Sequence, residues 1–393
     1  MSTQDRWLLP EGIEEVLPQE ARQLEALRRQ VLDLLATWGY ELVMPPLIEY
    51  VDSLLTGLGQ DMALQTFTLT DQLTGRLMGV RADMTPQAAR IDAHYLKSDG
   101  PVRLCYLGPV LRTRPGEFGG SREPLQIGAE LFGYSGPASD AEVLALMIAT
   151  IQRIGIRDVH VDLGHVGVYR ALAADARLDS EREARVFNAL QRKARSELEP
   201  LLSHGVASDA RRRLLALLEL SGPADTLPRA RQELAGAPAA VAKALDYLEA
   251  VATQVARQPA APSLHFDLAE VSGYQYYTGV VFSAFVPGQG RAIAQGGRYD
   301  GIGKAFGRDR AATGFGADLR QLARLASMPG KGRLAILAPA GNDAALLSEI
   351  ARLRAAGERV VQALPEQEAK AARIGCDRRL VEKSGRWIVE SIK

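Results

Sequence analysis

Cysteine is almost missing from this chain. Only Cys105 and Cys376 occur in 393 residues, far apart in sequence, so neither a disulfide framework nor a cysteine-built metal or redox pair is available. Excess charge is missing too: Lys and Arg total 47, Asp and Glu total 47, and the formal net charge is zero. That balance argues against a dominant electrostatic grip on a long nucleic-acid backbone and leaves room only for a local basic patch. No apolar run approaches the ~18 residues that would span a bilayer. The opening stretch, MSTQDRWLLPEGIEE, is acidic and has no signal-peptide core. These absences together predict a soluble, reduced, cytoplasmic protein.

What is present is enough chain for two or three domains. The most informative stretch runs from Gly108 to Tyr134. An apolar strand including Cys105, Tyr106 and Leu107 leads into Val110 and Leu111. A charged turn follows, with Arg112, Arg114, Glu117, Arg122 and Glu123 around Gly116, Gly119 and Gly120. The return strand puts Gln126, Gly128, Glu130 and Phe132 on one face at period two. An arginine leaving an apolar strand, faced by Gln and Glu, suits a small zwitterion or a phosphate. A plain solvated hairpin fits the same pattern.

Upstream, Pro18 suits a first helical turn. Leu24, Leu27, Val31, Leu34, Leu35 and Trp38 repeat at helical spacing, and Gly39 closes the helix. Tyr40 to Met44 reads as a strand cut off by Pro45 and Pro46. Residues 66–85 hold two short strands around a turn near Gly75. Thr85 is placed to cap a helix opened by Pro86, with Asp83 beside it as an accessory cap or as a ligand for an ammonium group.

Downstream, Ser139 and Glu142 form an S-x-x-E capping box for the next helix. Asp158 to Leu163 alternates as a strand. His160, Asp162 and His165 lie close in sequence but lack the helical spacing of a metal site. From about Val168 to Ala260 the composition turns to Ala, Leu, Arg and Glu, predicting a helical insertion with mostly solvated charges. Strands return after Ser263, where Asp267, Glu270, Tyr276 and Tyr277 crowd near Gly273 and Gly279. The runs Gln295–Gly301 and Ala312–Asp318 follow, the second a glycine-rich strand feeding a helix. After Pro329 and Gly330 comes a small α/β unit: a strand from Leu334, a helix capped by Asn342, and strands at Val360–Leu364 and Trp387–Glu390. The expected fold is α+β, a mostly antiparallel mixed sheet with flanking helices, a helical insertion and a small C-terminal α/β unit.

These stretches together resemble the catalytic core of histidyl-tRNA synthetase, a class II aminoacyl-tRNA synthetase, over about residues 8–165 and 263–328. Pro45-Pro46 is similar to that class's dimer motif, Gly108–Tyr134 to its second motif, and Gly314–Leu322 to its third. Leu268–Phe282 resembles the histidine-specific segment. Several cationic positions depart from the pattern. Ser272 stands where the family has the arginine that bridges carboxylate and α-phosphate. Gln321 stands where the triphosphate arginine belongs, with Arg320 one place early, a turn of ~100° on a helix. Thr113 and Arg114 follow Arg112 where an acid normally seats adenine. Loss of such electrostatic contacts predicts that the chain does not activate an amino acid.

A synthetase body with a surviving histidine pocket resembles the regulatory subunits of short-form ATP phosphoribosyltransferase, whose variants of these motifs are similar to Arg81–Gln87 (with Ala82 in place of the usual proline) and Gly273–Gly279. By that resemblance, histidine is bound by Asp83, Thr85, Gln126, Glu130, Tyr276 and Tyr277, with Arg112 and Tyr274 as further candidates. No catalytic residue, metal or cofactor is implied. The implied partners are a catalytic phosphoribosyltransferase subunit in a hetero-oligomer, of hetero-octamer type, a second copy of the chain, and L-histidine as effector. No tRNA and no membrane are implied. The implied domains are a core over residues 1–328, with the insertion at about 168–260, and a truncated anticodon-domain-like unit over 331–393. Other readings stay open: a divergent active synthetase, an enzyme adenylating another amino acid, or a paralogue binding tRNA or histidine for another regulatory role.

Overall fold

The alternation read along Gln126–Phe132 is the key to how the chain folds. In the computed structural model, which describes residues 7–56, 60–115, 120–259, 262–270, 273, 276–326, 335–365 and 375–392, strand β6 (Leu125–Phe132) sits inside a sheet covered on both faces. Its odd members Ile127, Ala129 and Leu131 join the main core, while Phe132 joins a second cluster with Leu104, Tyr106 and Tyr299. One strand therefore separates two environments, as period-two geometry requires.

Nine strands make that sheet: β1 (Glu41–Leu42), β5 (Val102–Pro109), β6, β7 (His160–His165), β8 (Ser221–Gly222), β9 (Leu264–Asp267), β10 (Val280–Phe285), β11 (Ala294–Arg298) and β12 (Ala312–Asp318). Their order is β1-β5-β6-β12-β11-β10-β7-β9-β8. Pairing is antiparallel except for β1 with β5 and β7 with β9. A smaller antiparallel sheet holds β2 (Ile48–Tyr50), β3 (Phe67–Thr70) and β4 (Leu77–Val80), in the order β2-β4-β3.

The helix Pro18–Thr37 begins on its proline and buries Leu24, Leu27, Val31 and Leu35 against the main core. Pro137–Arg153 buries eleven of its residues, Leu144, Leu146 and Met147 completely. Between β7 and β9 the described residues form six α-helices, from Val166–Asp175 to Ala239–Ala256, and their apolar faces share the same core. No helix among the described residues is long and apolar enough to cross a membrane.

The chain divides into two compact units, 1–327 and 328–393. The second holds β13 (Ala335–Ala338), the helix Ala344–Ala355, β14 (Val360–Gln362), β15 (Cys376–Lys383) and β16 (Arg386–Ser391), its sheet ordered β14-β13-β15-β16.

Several local expectations are corrected. The Asp343 carboxylate, not Asn342, caps the last helix, accepting from Ala345 and Leu346 N–H at 3.0 and 2.9 Å. Strand β15 was not foreseen. Ser139 and Glu142 make no capping box: the helix starts at Pro137, Ser139 Oγ donates to the Gly136 and Tyr134 carbonyls, and Glu142 takes Arg103 and Tyr40. Thr85 is not the cap of its helix either, because its hydroxyl turns into the site described next.

Candidate functional site

The floor of the site is the β6–β12 ladder, where Gln126 faces Asp318, Gly128 faces Gly316 and Glu130 faces Gly314. Glycine is required at two of these places by close approach. A Cβ on Gly314 would fall 1.5 Å from Glu130 Oε2, and one on Gly128 would fall 2.3 Å from the Tyr106 hydroxyl. These absences admit a carboxylate and a phenol to a level that ordinary side chains would fill.

The Glu130 carboxylate is 1% exposed. Tyr106 OH donates to its Oε1 at 2.7 Å, and Tyr299 OH bonds its Oε2. Thr85 Oγ1 lies 2.9 Å from Tyr106 OH and 3.1 Å from Asp83 Oδ1. Gln126 Nε2 donates to Asp83 Oδ1 at 2.6 Å, while its Oε1 accepts from Met84 N–H at 2.9 Å. Asp83 therefore does act as an accessory cap, since its Oδ1 also accepts from Thr85 N–H at 3.0 Å. A continuous polar chain runs Gln126, Asp83, Thr85, Tyr106, Glu130, Tyr299.

Burial pushes the Glu130 carboxyl up to about 8. The tyrosine donors pull it down and the negative charge of Asp83 adds to the rise. A buried, mostly protonated carboxyl beside a second acid is poised to ionise when a cation arrives.

Tyr276 and Tyr277 close one side. Tyr276 stacks on Tyr299 with centroids 5.1 Å apart, and meets Tyr277 edge-on at 5.2 Å. The Tyr276 hydroxyl is buried without a hydrogen-bond partner among the described residues. Such an orphan is costly unless something fills it.

One cavity of about 280 Å³ is lined by Asp83, Thr85, Gln126, Glu130, Tyr276, Tyr277 and Arg112, so all seven of these candidates converge. Tyr274 lies outside the described residues, as does Ser272. Gln321 lines the cavity, whereas Arg320 reaches Glu123 at 3.5 Å. Asp318 and Ser121 also line it. Sequence reasoning missed Tyr106, Tyr299 and Gly314 as members of the site. Tyr106 carried a signal, since it opposes Gly128 on the neighbouring strand. Among the described residues no three His, Cys, Asp or Glu side chains group as metal ligands, and His165 Nδ1 accepts from Gly167 N–H at 3.0 Å as a helix cap.

The family described as "Histidyl-tRNA synthetase" matches residues 12–322, and "ATP phosphoribosyltransferase subunit HisZ C-terminal domain" matches residues 332–390. The chain is 54% identical to the ATP phosphoribosyltransferase regulatory subunit of Thioalkalivibrio sulfidiphilus, covering 100% of both chains. It is likewise 54% identical to that of Pseudomonas entomophila, covering 99% of each. Among solved structures, it resembles an ATP phosphoribosyltransferase regulatory subunit/histidyl-tRNA synthetase from Bacillus halodurans, with a TM-score of 0.83, 29% identity and coverage of 93% and 96%. Histidyl-tRNA synthetase from Nostoc sp. PCC 7120 gives a TM-score of 0.78 at 19% identity, covering 98% and 97%, a likeness of fold alone.

Proposed function

Because the chain belongs to the ATP phosphoribosyltransferase regulatory subunits, built on a histidyl-tRNA synthetase fold, we propose that its cavity is the site where L-histidine enters as feedback effector. As a member of that family it is a non-catalytic subunit of an enzyme of histidine biosynthesis, and its partner is the catalytic subunit of that enzyme. In the proposed scheme the chain activates this partner and passes on inhibition when histidine is bound.

The observation that carries the reading is the lining itself: two carboxylates, Asp83 and Glu130, set among neutral hydrogen-bonding groups. A zwitterionic amino acid needs anionic partners for its ammonium. It also needs donors and acceptors for its polar side chain, which Thr85, Gln126, Tyr276 and Tyr277 offer. Arg112, also in the lining, is the further candidate that would answer the ligand carboxylate in this scheme. A coupling of about 1–3 kcal/mol between this cavity and the partner suffices for feedback.

The wider reading is a cytoplasmic assembly of hetero-octamer type. In it the chain pairs with its own copy through the Tyr40–Pro46 segment, residues 331–393 are a shortened relic of an anticodon domain, and no tRNA is read. Calorimetry with L-histidine tests the pocket. One site per chain is expected, and its heat should vanish in Glu130→Ala; an unaltered isotherm there refutes the assignment. Co-purification with the catalytic subunit and a rise in its turnover test the regulatory role.

A further inference from the structure

The two tyrosines of the cavity belong to a segment whose described ends are both held by the helical insertion. At the entry, Asp267 ends β9 and is 5% exposed, and its Oδ2 accepts from Lys193 Nζ at 2.6 Å. Its Oδ1 accepts from Ala269 N–H at 3.0 Å, and Leu268 N–H donates to the Leu220 carbonyl at 3.0 Å. At the exit, Arg170 Nη2 donates to the Tyr277 carbonyl at 2.7 Å, and Val166 N–H donates to the Gly279 carbonyl at 3.0 Å.

Arg170 lies on the first insertion helix, Val166–Asp175. Lys193 follows the next, Ser180–Gln191, and stands at φ 52°, in the left-handed region where a side chain is disfavoured. Four hydrogen bonds thus join the two ends of one short segment to the insertion and the start of its first helix, and two of them are donated by cations. A guanidinium on a main-chain carbonyl restrains that peptide plane, and so the backbone from which the tyrosine side chain projects.

We propose that Arg170 and Lys193 are positioning residues for the effector: they set the Tyr276–Tyr277 wall of the cavity from the insertion and so tie occupancy of the cavity to the order of the insertion helices. This inference rests on the histidine reading above and names how that site communicates. Neither cation lines the cavity, so a change at either acts through the tyrosines.

The test uses the full chain with L-histidine as probe, in wild type, Arg170→Gln, Arg170→Lys and Lys193→Gln. Affinity is read by calorimetry, fold by thermal melting, and helix order by amide hydrogen exchange of residues 166–175 with and without histidine. Arg170→Gln and Lys193→Gln should each weaken histidine at least about fivefold, the lower end of ordinary coupling, with Arg170→Lys recovering part of the loss. Histidine should slow exchange in residues 166–175 of wild type and fail to do so in Arg170→Gln. Lys193 is half exposed, so its variant carries the test if Arg170→Gln does not fold. Wild-type chain that binds no histidine overturns the underlying reading and this inference with it. Wild type that binds, with both Gln variants equal to it in affinity and exchange, overturns this inference alone.

Discussion

Glu130 concentrates the chemistry of the site in one side chain. An unfolded glutamate ionises in the ordinary carboxyl range, whereas the folded chain keeps this proton up to about pH 8. Between those limits the native state binds more protons than the unfolded one. The stability this group confers is therefore present at acid pH and is lost as pH climbs to about 8. Glu130→Gln should flatten that slope relative to wild type in denaturant unfolding followed from pH 5 to 8.5; parallel slopes would place the proton elsewhere. An ammonium seated beside Glu130 favours the ionised form, so histidine binding below pH 8 should release a proton, seen as binding heats that depend on the buffer. Asp83, Gln126, Glu130 and Tyr277 were legible because the motifs around them resemble a known pocket. Tyr299 was not, since it reaches Glu130 across 169 positions of sequence and nothing local marks that bond.

At the scale of elements, the buried ion pair of Arg298 and Asp140 does the joining. Arg298 Nε donates to Asp140 Oδ2 at 3.0 Å, Tyr247 OH donates to the same oxygen at 2.6 Å, and Arg298 Nη2 donates to Ser139 Oγ at 2.7 Å. Strand β11, the helix Pro137–Arg153 and the insertion helix Ala239–Ala256 meet there. The side chains of the pair are 5% and 0% exposed, so screening by solvent is slight. Arg298→Met should cost about 3–5 kcal/mol in denaturant unfolding, because it strands Asp140 in the core. A loss below about 1 kcal/mol would show the pair to be peripheral to stability. This network also explains a misreading. Ser139 looks like half of a capping box, but tertiary bonds claim both it and Glu142, a preference no local pattern reveals. Strand β15 failed for a different reason: its residues alternate poorly, and the Ser384-Gly385 turn that follows it went unread. Ser384 and Gly385 have φ of 51° and 74°, the signature of a two-residue hairpin.

For the whole molecule, the central question is why a synthetase body should regulate rather than react. Joining an amino-acid carboxylate to an α-phosphate brings two anions together, and each lost cationic or dipolar contact costs about 3–4 kcal/mol of transition-state stabilisation. Among its described lining residues the cavity offers one arginine, Arg112, beside three acidic side chains, Asp83, Glu130 and Asp318, of which Glu130 keeps its proton up to about pH 8. The neutral Gln321 faces in, while Arg320 turns to Glu123 at 3.5 Å. That pattern was readable from the sequence, because one residue of shift on a helix decides which side chain faces the cavity. The order of the nine strands was not, since periodicity says which face a strand buries but not which neighbour it takes. A ligand that binds only the folded chain stabilises it by RT ln(1 + L/Kd), with L the free ligand concentration, and so raises its melting temperature as L exceeds Kd. L-histidine should therefore raise it, whereas ATP with Mg²⁺ should leave it unmoved, alone or with histidine present. Histidine-dependent exchange of pyrophosphate into ATP should stay at background, also in Gln321→Arg, because one restored cation leaves Ser272 where the resemblance puts the bridging arginine. Exchange above background in wild type would mean that positive charge reaches the cavity from a source outside this lining, and exchange in Gln321→Arg alone would mean that one restored cation suffices.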